Sequence, residues 1–186
     1  LLNSNIIVAK QSSNKITEYI KKNISNNPAN KIFYGEDYNF VLKENDFFFY
    51  EDQYGSLKIP KPNIKGDFQL ENASTAIATL RTLKDLNIQD QHIIEGVKKA
   101  HNTARLEEIK EGNLKDLVKN NMLICDGSHN PGGAKVLNTY LNSLNCDVHC
   151  IIGMMLTKNH EEYISYFKNI KSITTIDIPD TPNAID

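Results

Sequence analysis

The sequence predicts an α/β chain in two parts, a β-meander with helices followed by strands and helices in alternation. Three observations carry that expectation. Between Lys31 and Ile59, short aromatic and β-branched runs are separated by polar and glycine-containing breaks, the punctuation of antiparallel strands. A long apolar stripe at helical spacing follows Gly66. From Arg105 onward, short continuous apolar runs lead through loops into amphipathic helices, as in open, doubly wound sheets whose parallel strands are covered on both faces. With 40% hydrophobic and 24% charged residues, the composition excludes wholesale disorder, a collagen-like repeat and a disulfide-dense miniprotein. The 186 residues suffice for one or two cores. The expected boundary lies near residue 103, giving parts 1–103 and 104–186.

Taken in order, Ile6-Ile7-Val8-Ala9 reads as a strand, and Ile16, Ile20 and Ile24 share one face of a helix that ends before Pro28. The meander follows, with runs Ile32-Phe33-Tyr34, Phe40-Val41-Leu42, Phe47 to Tyr50 and Leu57-Lys58-Ile59 broken at Glu44-Asn45-Asp46 and Gln53-Tyr54-Gly55. Pro60, Pro62 and Gly66 interrupt the chain. A helix then places Leu70, Ala73, Ile77, Leu80 and Leu83 on one stripe. A second helix starts near Asp90, the candidate N-cap, with Ile93, Ile94, Val97 and Ala100 inward. Beyond Arg105, Met122 to Cys125 reads as a short parallel strand. Asn130 then suits an N-cap and Pro131 the first helical position, where its missing N–H costs nothing, ahead of a stripe of Ala134, Leu137, Leu141 and Leu144. A second unit repeats the plan: a strand from Val148 to Ile152, then a helix capped by Asn159 with Glu162 three residues on, Tyr163, Phe167 and Ile170 facing inward. A strand from Ile173 to Ile178 comes last.

Charge and cysteine usage narrow the function classes. The 21 basic and 23 acidic side chains leave a net charge of −2, which gives no electrostatic footprint for nucleic acid or an anionic membrane. No apolar run approaches the roughly 18 residues of a membrane span, and the opening Leu1-Leu2-Asn3 is no signal sequence. Cys125, Cys146 and Cys150 lie in apolar segments and read as buried thiols of a reducing, cytoplasmic compartment. Residue 1 is leucine and the chain stops just after a strand, so its length is expected to differ from that of the native unit.

The most informative segment is Asp126-Gly127-Ser128-His129-Asn130-Pro131, where a strand ends and a helix begins. Ligands of open α/β sheets bind at that end of the strands, and helix starts offer N–H groups to phosphate. A carboxylate there can orient Mg²⁺, a ribose hydroxyl or an attacking amine, while His129 can donate to phosphate oxygens. An ordinary βα turn, in which Asp and Asn simply cap, remains open on this segment alone. Asn72 lies beside the apolar stripe of its helix among Ala73, Ser74 and Ala76. Its carboxamide offers both donor and acceptor to a heterocycle edge, and a solvated helix asparagine is the plain alternative. Arg105, one of only two arginines with Arg81, could reach phosphate from a domain junction or form a surface ion pair. Cys146-Asp147-Val148-His149-Cys150 cannot converge on a metal if it is a strand, since His149 would face away from both cysteines. Phe47 to Tyr50 reads as meander core, Lys158 as a solvated helix-entry residue, and His92, His101 and His160 carry no partner pattern. No Gly-x-x-x-x-Gly-Lys-Ser/Thr loop, His-Glu-x-x-His or Gly-x-Ser-x-Gly occurs.

Taken together, Gly66-Asp67-Phe68-Gln69-Leu70-Glu71-Asn72-Ala73, Ala104-Arg105-Leu106-Glu107 and Asp126-Gly127-Ser128-His129-Asn130-Pro131 resemble three ordered motifs of the Mur ligase superfamily, in its folylpolyglutamate synthase/dihydrofolate synthase branch. Gly132-Gly133 and Ile151-Ile152-Gly153-Met154 also resemble the folate branch rather than the cell-wall branch. The resemblance is weak over the first sixty residues and strong from Gly66 to about Lys158. It implies the end of a Mur-type ATPase domain followed by part of a Rossmann-like C-terminal domain. It also implies that Asn72 contacts the adenine of ATP, that Arg105 reaches the phosphates from the hinge, that Asp126 contacts the nucleotide, and that His129 lies near the terminal phosphate and the incoming amino acid as the catalytic residue. Three departures stand out: Phe68 where histidine is usual, Ser128 where alanine is usual, and Thr103-Ala104 in place of a common Pro-Gly. The first is expected to weaken a polar contact near the nucleotide, the last to loosen the hinge.

The family chemistry implied is ATP-dependent amide formation, in which a folate or dihydropteroate carboxylate becomes an acyl phosphate and the amine of L-glutamate displaces phosphate. Mg²⁺ is the implied cofactor, a monomer the implied state. The resemblance places the phosphate loop, Mg²⁺ ligands and most of the pterin pocket upstream of Leu1, and further strands and helices after Asp186. On this reading Asp126→Ala abolishes ligation and leaves folding intact. The rival readings are another Mur-family amino-acid ligase and a catalytically incomplete nucleotide-binding fragment of a split gene.

Overall fold

The computed structural model describes residues 4–42 and 46–183. The Glu44-Asn45 part of the expected break, and the Leu1-Leu2-Asn3 opening, lie outside the described residues. Two compact units divide the chain, Leu1–His101 and Asn102–Asp186.

The first unit opens with a parallel β-α-β element: β1 (Asn5–Val8), α1 (Asn14–Ile24) and β2 (Asn30–Phe33), with Ile7 opposite Ile32 and Val8 opposite Phe33. The run Ile32-Phe33 is therefore not a meander strand. Its side chains belong with β1 because an intervening helix makes parallel pairing the available connection. The meander begins one run later and is antiparallel throughout: β3 (Tyr38–Leu42), β4 (Phe47–Asp52) and β5 (Gly55–Pro60). Alternation along β4 sends Phe48 and Tyr50, both fully buried, to one face, as period-2 side-chain geometry demands. Phe47 and Phe49 stand on the other, where the Lys58 ammonium lies 4.3 and 5.9 Å from their ring centroids.

Against the buried face of the meander packs α2 (Phe68–Thr82), which contributes Leu70, Ile77 and Ala78 to a core shared with Tyr38, Phe48, Tyr50, Leu57, Ile59 and Ile93. The expected stripe holds as far as Leu80; Leu83 is the C-cap and is exposed. A glycine is required at position 66, where φ is +104° and a side chain would run into the Phe68 ring. Tyr38 ties the layers by donating its hydroxyl proton to Val8 O at 3.1 Å, and its oxygen lies 3.2 Å from Thr75 Oγ1. The next helix, α3 (Asp90–Lys99), starts one residue earlier than the Asp90 cap implies. Gln89 is its N-cap, and the His92 ring Nδ1 accepts the Gln89 N–H at 3.2 Å, so His92 does have a partner.

The second unit holds two separate strand pairs among the described residues. β6 (Glu107–Glu108) and β7 (Ile124–Cys125) pair antiparallel on either side of α4 (Asn113–Val118). This corrects the expectation of a parallel strand covered on both faces at Met122 to Cys125. The partner is β6, which precedes α4 in the chain, and Cys125 is exposed. The parallel expectation holds for β8 (His149–Ile152) and β9 (Ser172–Thr175), with α5 (Pro131–Ser143) and α6 (His160–Ser165) in alternation. Ala134, Leu141, Met154, Tyr163 and Phe167 form the buried cluster. Neither Cys146 nor Cys150 is buried, the first being exposed and the second intermediate. Cys146 precedes β8 rather than lying in it, so apolar neighbours in sequence did not translate into cover. Among the described residues no helix is long and apolar enough to cross a membrane.

Candidate functional site

The turn that leads into α5 is built on hydrogen bonds from backbone to carboxylate. Asp126 follows directly after β7, and its two oxygens accept from different segments: Oδ1 from Ser128 N–H and Oδ2 from Leu106 N–H, both at 2.9 Å. Gly127 N–H donates to Ala104 O at 2.7 Å. Residues 104–106 are thereby laced to residues 126–128, twenty positions on in the chain. Asp126 is thus first a cross-brace, and its carboxylate keeps lone pairs beyond the two that these donors use. That geometry revises the expectation that the side chain could be removed without cost to folding.

The brace holds strained backbone. Ala104 and Leu106 adopt φ of +54° and +50°, in the left-handed region that costs a residue with a Cβ about 1–2 kcal/mol. The Ala104 N–H donates to Glu107 Oε2 at 2.8 Å, which closes the segment on its other side. Within the second unit the strain at Ala104 and Leu106 is opposed by three hydrogen bonds. Ala104→Gly is expected to raise the stability of the second unit by about 1 kcal/mol, since glycine adopts φ > 0 freely, as a shift in the denaturant midpoint at unchanged slope.

Arg105 projects from this braced segment and is exposed. Its Nη1 would lie 3.5 Å from a methyl group built on Gly127, so the guanidinium runs alongside the turn. His129 is also exposed, and its Nδ1 lies 3.0 Å from Gly127 O. A carbonyl only accepts, so Nδ1 carries the proton of that contact and Nε2 is the nitrogen left for other partners. An imidazole nitrogen so placed can accept a proton or donate one. Asn130 caps α5 as expected, its Oδ1 accepting Gly133 N–H at 2.8 Å, with Pro131 at the first helical position. Pro131 has no N–H, Gly133's is taken by the cap, and that of Ala134 goes to Asn130 O at 2.9 Å.

The structure thus places Arg105, Asp126 and His129 at one laced turn, Arg105 by way of the hydrogen bonds of its neighbours Ala104 and Leu106. Asn72 belongs to the first unit, with partners of its own. It is exposed on α2, and its Nδ2 donates to Gln69 Oε1 at 3.0 Å. Gln69 is 7% exposed and fixes which way the Asn72 amide faces, leaving Oδ1 and the second amide hydrogen outward. Next to Asn72, Glu71 accepts from Lys10 Nζ at 2.8 Å, and this contact holds the Lys10 pKa above its ordinary value. Gln69 was detectable from its i, i+3 spacing to Asn72. Tyr163, whose hydroxyl lies 3.1 Å from Ser128 Oγ, had no local signal because the two stand 35 positions apart. Burial, above all, pushes the Tyr163 phenol upward, with the Asp126 charge adding to it and the Ser128 contact opposing.

No family model matches the chain. A curated folylpolyglutamate synthase of Lacticaseibacillus casei is 28% identical over 143 residues, covering 74% of this chain and 32% of the relative. An E. coli FolC structure in complex with DHPP and ADP superposes with a TM-score of 0.78 at 22% identity, over 99% of this chain and 42% of that one. A bifunctional folylpolyglutamate synthase/dihydrofolate synthase with Mn, AMPPNP and L-glutamate bound gives a TM-score of 0.76 at 19% identity, over 98% and 41%. The chain therefore spans less than half the length of these relatives. Within that span the likeness extends to sequence, at 28% identity with the curated relative, and to the fold.

Proposed function

We propose that the chain is part of an ATP-dependent ligase that joins L-glutamate to the carboxyl group of a folate or dihydropteroate through an acyl phosphate. The observation that carries this reading is the braced turn ahead of α5, where the Arg105 guanidinium runs alongside Gly127 and the His129 ring bonds back to Gly127 O. Arg105 neutralises phosphate charge, and its planar fork suits two phosphate oxygens at once. Asp126 holds the turn and offers its free lone pairs to the nucleotide. His129 meets the terminal phosphate and the incoming amine, and with Nδ1 tied to Gly127 O it works through Nε2. Asn72 reads the adenine edge with the amide groups that Gln69 leaves outward. Most of the rate gain in such chemistry comes from positioning and charge neutralisation rather than from a protein nucleophile.

Mg²⁺ belongs to the same proposal. Among the described residues no group of three or more His, Cys, Asp or Glu is placed to hold a metal ion, and the resemblance assigns the Mg²⁺ ligands to another part of the family's ATPase domain. A cytoplasmic, monomeric enzyme completes the reading.

The test is glutamate incorporation by the protein expressed from its complete reading frame, with Mg-ATP and either dihydropteroate or a folate as acceptor. ATP-dependent amide formation with one of these is expected. Turnover with UDP-linked peptide precursors and none with either pterin compound would assign the protein to the cell-wall ligases instead. Absence of any ATP-dependent ligation by a folded protein would remove the ligase reading altogether.

A further inference from the structure

We infer that Tyr163 is a positioning residue for the 126–130 turn, acting through the hydroxyl of Ser128, and that these two side chains function as a pair. The functional part of this inference rests on the nucleotide reading of the turn. Tyr163 sits on α6 and is 4% exposed, its ring edge-on to Phe167 at a centroid distance of 5.3 Å. A phenol in that position needs a polar partner. It has one in Ser128 Oγ at 3.1 Å.

Ser128 is gripped on three sides. Its N–H is taken by Asp126 and its hydroxyl meets Tyr163. Its Cβ would stand only 2.7 Å from a Cβ at position 133, a distance that real side chains do not adopt, so Gly133 must be glycine for the turn to lie this close to α5. The next residue is His129, whose ring bonds back to Gly127 O. Fixing Ser128 therefore fixes the peptide from which His129 departs, and it seats the Asp126 carboxylate that braces Leu106. The alanine usual at position 128 could not do this; it would leave the buried phenol without a partner. Serine at 128 and tyrosine at 163 answer each other's hydrogen-bonding need, and the upward push that burial gives the phenol keeps its proton in place for that bond.

A double-mutant cycle in the protein expressed from its complete reading frame tests the pair, comparing the parent with Tyr163→Phe, Ser128→Ala and the double variant. Phenylalanine keeps the packing and removes one oxygen. Two readouts are taken: amide hydrogen exchange at Ser128 and Leu106, and the Kd for ADP. Tyr163→Phe is expected to speed exchange at both amides by roughly five- to tenfold, the equivalent of one hydrogen bond, and to weaken ADP by a similar factor, with exchange across β4 and α2 unchanged. The double variant is expected within about twofold of Ser128→Ala, because a hydroxyl with no neighbour has nothing further to lose. Strictly additive effects, or unaltered exchange at Ser128 and Leu106 in Tyr163→Phe, would overturn the inference. Coupled exchange with no ADP binding in any of the four proteins would establish the pair while removing the nucleotide reading of the turn.

Discussion

Asp126→Ala is expected to destabilise the second unit by about 2–4 kcal/mol and to weaken nucleotide binding more than tenfold. Two N–H donors lose a charged acceptor at once, and each bond to a charged group is worth roughly 1.5–3 kcal/mol, offset in part by water reaching a half-buried position. The left-handed residues Ala104 and Leu106 would then relax and carry Arg105 away from the turn. Asp126→Asn separates the two roles. Its single carbonyl oxygen can serve one of the two donors, so about half of the stability loss is expected, together with most of the binding loss. Chemical denaturation followed by far-UV circular dichroism, alongside ADP titration, reads both quantities. Full stability in Asp126→Ala would show that the brace contributes nothing, and unchanged ADP affinity in a folded Asp126→Asn would take Asp126 out of the nucleotide site.

Arg81→Met is expected to cost the first unit about 3–5 kcal/mol, the usual consequence of leaving a buried charge without its counter-ion. The Arg81 and Asp52 side chains are 11% and 8% exposed, with Nε 3.4 Å from Oδ2. The guanidinium also lies 5.9 and 5.4 Å from the Tyr50 and Tyr54 ring centroids. Asp52 would be left with the Tyr50 hydroxyl at 3.1 Å and the Tyr54 N–H at 2.8 Å, neither of which carries charge. The double substitution Arg81→Met/Asp52→Leu is expected to recover much of the loss, because apolar packing replaces a desolvated pair at little net cost. Denaturant midpoints of the two variants decide the matter. Equal destabilisation in both would mean that the aromatic contacts of Arg81, not its charge partner, hold α2 to the meander.

The contrast between the two arginines shows what the sequence could and could not convey. Their scarcity directed attention to Arg105, yet nothing local marked Arg81 as a buried ion-pair partner of Asp52, 29 positions earlier. Elements set by neighbouring residues were legible: the Asn130 cap with Pro131 behind it, the Asn159 cap, the alternation of β4 and the apolar stripe of α2. Pairings between distant segments were not. Ile32-Phe33 looks like any other aromatic run until β1 is known to lie beside it, and Ile124-Cys125 reads as a covered parallel strand until Glu107 folds back on it. The site divides along the same line. Asp126, His129 and Arg105 stood out by motif, whereas Asp126's work as a brace, the positive φ of Ala104 and the Tyr163 hydroxyl all depend on contacts across 20 or more residues. Gln69 lies between these cases, one helical turn from Asn72.

The lacing of residues 104–106 to 126–128 has a consequence for the chain between them. Residues 110–122, with α4 and its exposed Leu114 and Leu117, leave and return to one fastened point. They form a closed loop whose ends cannot drift apart. Closing such a loop costs only about 0.6 kcal/mol more for each doubling of its length. This stretch is therefore where insertions and deletions can accumulate without shifting Arg105 or His129, a margin of tolerance beside a turn that has almost none.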